Sequence, residues 1–169
     1  PVSQIMAALS EWLKSMGEVN AMVLGTLIGA MMCIDMGGPV NKAAYTFSVG
    51  MIASGVYTPM AAAMAAGMVP PIGMAIATWI ARSKRDAGKA SFVLGLCFIS
   101  EGALPFVAAD PIRVIISSVI GGATAGAISM TLNISLQAPH GGLFVIPFVS
   151  EPLLYLGAIA TGALLTGVV

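Results

Sequence analysis

What constrains this chain most is an apolar sequence interrupted by ionisable residues. From Ser100 to Arg113 it reads SEGALPFVAADPIR, which sets Glu101, Asp110, Arg113 and two prolines between apolar segments. Lipid cannot solvate a charge, so an ionisable residue between membrane segments needs a specific partner and marks a functional site. Lipid is the expected solvent because 58% of the 169 residues are hydrophobic and only 8% are charged, against about 25% charged in an ordinary soluble domain. The expected fold is therefore an all-α integral membrane protein, polytopic, with one or two re-entrant hairpins and an N-terminal amphipathic interfacial helix. A formal net charge of zero offers no basic footprint for nucleic acid.

The apolar residues Val2, Ile5, Met6, Leu9, Trp12, Leu13 and Met16 recur at helical spacing, with Ser3, Gln4, Glu11 and Lys14 between them. Residues 1–17 thus read as a helix lying in the membrane interface; a helix packed on another protein domain fits the same pattern. The chain opens at Pro1 and shows no signal peptide. Its length suits about one half of a two-repeat transporter, so a missing part is expected upstream.

Residues 18–81 read as membrane segments. The first, Val19 to Ile34, ends at Asp35, Met36, Gly37, Gly38, Pro39, Val40, Asn41, Lys42, a run that stops a helix and frees backbone groups that protein or water must cover. Asp35 and Lys42 there are either snorkelling charges at an interfacial turn or members of a site. Over residues 44–80 the pair Pro70, Pro71 excludes one straight helix. Two alternatives stand: two spans meeting near Tyr57 to Pro59, or one kinked span to Gly67 followed by a short segment from Pro71.

Residues 82–89 hold Arg82, Lys84, Arg85 and Lys89, four of the seven basic residues, and by the positive-inside rule form a cytoplasmic loop. Ala90 to Ile99 is too short to span and runs into the polar stretch at Ser100, so residues 90–111 read as a re-entrant hairpin. Asp110 and Arg113, three apart, pair and cap the helix that restarts at Pro111. Residues 112–169 hold further membrane segments, with a polar break over residues 133–142, NISLQAPHGG, that contains the only histidine.

A solute site in a membrane gathers acceptors and donors where helices break. Glu101 is the sharpest candidate, because a carboxylate buried in an apolar surrounding holds its proton more tightly than one in water and can both bind a hydroxyl and take its proton. His140 either faces the same site or is satisfied by a backbone carbonyl. Cys33 and Cys97 lack metal-ligand or disulfide spacing and read as small buried hydrophobes. No nucleotide loop, metal cluster or catalytic triad is legible, and no cofactor or metal is expected.

The strings GGPVNKAAYTF (Gly37 to Phe47), MAAGMVPPIG (Met64 to Gly73), SEGALPFVAADPIRVI (Ser100 to Ile115) and APHGGLFV (Ala138 to Val145) resemble the fructose-type enzyme IIC of the bacterial phosphoenolpyruvate-dependent sugar phosphotransferase system. The resemblance runs from about Met22 to the end and covers the C-terminal half of such a domain. It implies a multi-pass protein of the bacterial inner membrane, a homodimer, that works with IIA and IIB units. Fructose or a fructose-like sugar is translocated and phosphorylated by the phosphocysteine of IIB, giving fructose 1-phosphate where the sugar is fructose. The acidic sugar-site motif falls on Glu101 to Pro105, with Glu101 holding the hydroxyl that is phosphorylated and Gly102 beside it. His140, Gly141 and Gly142 form a second wall and the break at Gly37 to Lys42 a third, with Asn41 and the neighbouring Asp35 as its site residues. Neither Cys33 nor Cys97 is the phosphocysteine. The reading in competition is an ion-coupled secondary transporter in which Glu101 and Asp35 carry protons and no sugar is modified; a membrane fragment without a site is a third.

Overall fold

The computed structural model describes residues 18–169; the interfacial helix expected over residues 1–17 lies outside the described residues. Seven α-helices follow in order: α1 Glu18–Ile34, α2 Pro39–Ala53, α3 Thr58–Ile80, α4 Arg85–Leu96, α5 Leu104–Val107, α6 Pro111–Thr131 and α7 Pro152–Val168. Two 3₁₀ segments, Ser100–Ala103 and Gly142–Phe148, complete the set. No β-strand occurs among the described residues, where the extended pairing is an isolated bridge between Leu136 and Val149. Helices α3 and α6 are each long and apolar enough to cross a membrane.

Helix α3 is the axis of the structure, with every residue from Pro59 to Ala75 buried. Its run of alanines lets α1, α4, α6 and α7 approach closely, which matters because in lipid helices gain by packing contact rather than by leaving water. Of the two alternatives for residues 44–80, the helices match the first: the chain breaks over Ser54 to Tyr57, where α2 meets α3. The double proline stays inside α3. Pro70 has no N–H to give to the Ala66 carbonyl, and Cys33 Sγ, 3.4 Å away on α1, donates to that oxygen instead. Ser91 Oγ of α4 donates to the Pro71 carbonyl at 2.8 Å. A neighbouring helix thus satisfies the carbonyl that Pro70 leaves without a donor, and the Ser91 bond ties α4 to α3.

Glycines set the closest crossings. Helices α1 and α6 run antiparallel with Gly25 against Gly126 and Gly29 against Gly122; a Cβ at Gly25 or at Gly29 would stand 2.8 Å from the facing glycine's carbonyl carbon. Between α6 and α7, a Cβ at Gly162 would stand 2.6 Å from the Gly121 carbonyl oxygen. Thr166 Oγ1 also donates to the Ser117 carbonyl at 3.2 Å, tying the same two helices.

Helix α4 rises from the basic loop, the chain turns over Cys97 to Ser100, and the 3₁₀ turn and α5 return it. Phe106 at the end of that return lines a cavity of about 210 Å³ together with Ser83 and Lys84, where α4 began. Residues 97–103 are thus a turn between α4 and α5. Asp110 caps α6 as expected: its carboxylate accepts the Arg113 N–H at 3.4 Å and stands 3.6 Å from Arg113 Nε.

Candidate sugar site at three chain breaks

The breaks read from the sequence come together. At the first, α1 ends at Ile34 and the chain turns through Met36 and Gly37, both with positive φ. The Asp35 carboxylate spans the turn, accepting the Val40 N–H at 2.7 Å on Oδ2 and the Asn41 N–H at 2.9 Å on Oδ1. These are donors of the first turn of α2 that no intrahelical carbonyl can reach, and a capping oxygen of this kind contributes about 1 kcal/mol. Asn41, 7% exposed, donates from Nδ2 to the Met32 carbonyl at 2.6 Å, an acceptor left over in the last turn of α1. Its Oδ1 makes no hydrogen bond among the described residues.

The second break is the turn from Cys97 to Ala103. Phe98 there has a φ of +64°, a left-handed backbone that costs a bulky residue about 1–3 kcal/mol and persists only when its surroundings enforce it. Beyond it the Glu101 carboxylate lies against Gly37, where a Cβ would stand 2.8 Å from Glu101 Cδ. Gly37, at φ +106°, is thus favoured by its backbone conformation, and the carboxylate packs where a side chain would otherwise stand. Gly102 is buried against α3 and α4, with Pro71 and Leu94 where a Cβ would go; it seats Glu101 rather than lining the site.

The third break carries His140. Gly142, at φ +58°, packs on the turn from Cys97 to Ala103 so closely that a Cβ would stand 2.7 Å from Phe98 N and 2.8 Å from the Cys97 carbonyl carbon. Gly141, also at positive φ, precedes it and completes the turn. Tyr45 Oη donates to the Pro139 carbonyl at 3.0 Å, and the Phe98 ring meets the His140 imidazole edge-on with centroids 5.2 Å apart.

Together these elements enclose a cavity of about 540 Å³ lined by Asn41, Tyr45, Phe98, Ile99, Ser100, Glu101 and His140, a volume ordinary for a small-molecule site (about 300–1,000 Å³). Three of the expected residues, Asn41, Glu101 and His140, line it. Asp35, Gly102, Gly141 and Gly142 stand behind the lining and shape it. One expectation is corrected for this chain: Glu101 is exposed rather than buried, lining the open cavity. Its carboxylate has no hydrogen bond or ion pair among the described residues. Tyr45, Phe98, Ile99 and Ser100 were not legible as site residues. Tyr45 carries a faint signal, standing four residues after Asn41 and so on the same face of α2. No group of three or more potential metal ligands forms among the described residues.

Chemically, the cavity offers a carboxylate, an amide oxygen, an imidazole and a serine among aromatic surfaces, a set that suits a polyhydroxylated solute. Over its whole length the chain is 85% identical to the PTS system fructose-specific EIIB'BC component of Haemophilus influenzae, of which it covers 31%. The chain is also 50% identical to the PTS system fructose-specific EIIC component of Haloferax volcanii, covering 47% of it, and 49% identical to the fructose permease IIC component of Bacillus amyloliquefaciens, covering 57%. It is thus similar to the C-terminal part of fructose-specific IIC components. The chain thus spans from about a third to just over half of the length of these curated relatives, in their C-terminal part. No family model matches the chain, and no solved structure does.

Proposed function

We propose that this chain forms the sugar-binding part of a phosphotransferase-system permease, holding fructose or a fructose-like sugar in the cavity between Glu101, Asn41 and His140 while a IIB phosphocysteine phosphorylates it. The observation that carries this is the convergence of three separate chain breaks on one cavity with an uncommitted carboxylate. Glu101 accepts a hydrogen bond from the reacting hydroxyl and turns its oxygen toward the phosphorus. The hydroxyl oxygen bonds to phosphorus as the phosphorus–sulfur bond of IIB breaks, and the hydroxyl proton passes to Glu101. Such a transfer needs positioning and charge management more than a nucleophile in the chain itself. His140 and Asn41 hold further hydroxyls, Asp35 holds the first break in shape, and no cofactor takes part.

The same reading sets the chain in the inner membrane as a multi-pass protein, with residues 90–111 as a re-entrant hairpin entering from a cytoplasmic loop at residues 82–89, residues 1–17 as an interfacial helix, and two copies per transporter. Supporting the loop assignment, Arg82, Lys84 and Arg85 are exposed and make no ion pair among the described residues, while Lys89 pairs with Asp86 at 3.1 Å. A cysteine introduced at Ser83 is expected to react with an impermeant thiol reagent only from the cytoplasmic side; labelling from outside alone would reverse the orientation.

The function is tested in vesicles carrying the full-length transporter. Phosphoenolpyruvate-dependent accumulation of phosphorylated fructose is the expected result. Uptake of unmodified sugar driven by a proton gradient would instead favour the secondary-transporter reading, with Glu101 and Asp35 as proton carriers.

A further inference from the structure

We infer that Phe98 is a positioning residue of the sugar cavity and that Gly67, on the central helix and outside the cavity lining, sets where Phe98 stands; this rests on the sugar-site reading above. Phe98 is wedged between two walls of the cavity. Its ring lies 6.1 Å from Tyr45 on α2 and 5.2 Å from His140, and it is 8% exposed. Tyr45 in turn holds the His140 loop through the Pro139 carbonyl. From the loop side, Gly142 packs against the Phe98 backbone N–H.

From below, Gly67 meets the ring itself. A Cβ there would collide with Phe98 Cε2 and stand 3.0 Å from Phe98 Cδ2 and 3.1 Å from Met32 Cε. Met32 is the residue whose carbonyl holds Asn41. Gly67 therefore lies beneath two walls at once, the Phe98–His140 side and the Met32–Asn41 side. Neither the left-handed Phe98 backbone nor the buried α3 backbone is free to yield, so a single methyl group at Gly67 moves the ring and, through it, the imidazole that faces the sugar.

The test uses the full-length transporter with its phosphoryl-donor units, comparing fructose KM, kcat and the amount of folded protein. Gly67→Ala is expected to raise KM roughly tenfold with little change in kcat, as a displaced binding group does. Phe98→Leu alone raises KM severalfold. In the double variant the smaller leucine leaves room for the methyl group, so KM is no worse than in Phe98→Leu. Additive effects, or a loss of folded protein and kcat at unchanged KM, would overturn the inference by showing a packing role only. If Gly67→Ala does not accumulate, the double variant decides: recovery of folded protein, with the KM of Phe98→Leu, supports the contact, and no recovery refutes it. Failure of the sugar reading is separable, because then Glu101→Gln also leaves KM and kcat unchanged.

Discussion

Replacing Glu101 by glutamine is expected to lower the rate of sugar phosphorylation by roughly a hundredfold or more, the scale of losing a positioned proton acceptor, while leaving the amount of folded protein unchanged. The stability half of that expectation follows from the geometry. Glu101 is exposed to the cavity and forms no hydrogen bond or ion pair among the described residues, and substitutions of such groups usually shift stability by no more than about 0.5 kcal/mol. Glutamine keeps the length of the side chain and an accepting oxygen, so it still meets Gly37 and still binds a hydroxyl; what it cannot do is take the proton. KM should therefore move less than kcat. Lys14→Gln, which lies outside the three breaks, is the comparison and should leave phosphorylation intact. Phosphorylated product measured by radiolabelled sugar in vesicles checks both, and equal effects of the two substitutions would remove Glu101 from the reaction.

Gly29→Val is expected to be among the most damaging single substitutions in the described chain. The glycine faces Gly122 across the α1–α6 crossing, and any Cβ there runs into the Gly122 carbonyl group and stands 3.0 Å from the Ala123 Cα. Overpacking a side chain against flexible neighbours costs about 1–3 kcal/mol; here the obstacle is helix backbone on both sides, so the cost lies at or above the top of that range and the helices must separate. Because Gly25 and Gly126 close the same crossing one turn away, the separation spreads along the interface. Gly157→Ala in α7 is the matched control, since nothing lies within 4 Å of its added Cβ, and removing a helical glycine there should be neutral or stabilise by roughly 0.5–1 kcal/mol. Thermal unfolding of the detergent-solubilised protein measures the difference; a Gly29→Val protein that melts with the wild type would mean that α1 and α6 do not meet as described.

Some of this was readable residue by residue. The stop at Asp35 to Lys42, the restart of α6 at Pro111 with Asp110 and Arg113 as its cap, and the turn through Gly141 and Gly142 are each dictated by local chemistry: prolines without donors, glycines at positive φ, and short carboxylates reaching backbone N–H groups. Glu101 and His140 stood out because ionisable groups are rare in an apolar chain. By contrast, the partner that the Ala66 carbonyl finds where Pro70 offers no N–H was not legible, since it is Cys33 on another helix.

Where the helices break, and which polar side chains stand at the breaks, follows from the chemistry of neighbouring residues and could be read from the sequence. That the breaks border one cavity, that Glu101 lines it exposed, and that Tyr45 and Phe98 line it with Gly67 against the Phe98 ring became visible only in the folded chain. The physical reason is distance along the chain: Gly37 meets Glu101, Tyr45 meets Pro139 and Gly67 meets Phe98 only after glycine-lined crossings have set the helices side by side, and no local rule of spacing encodes which small residues will face each other.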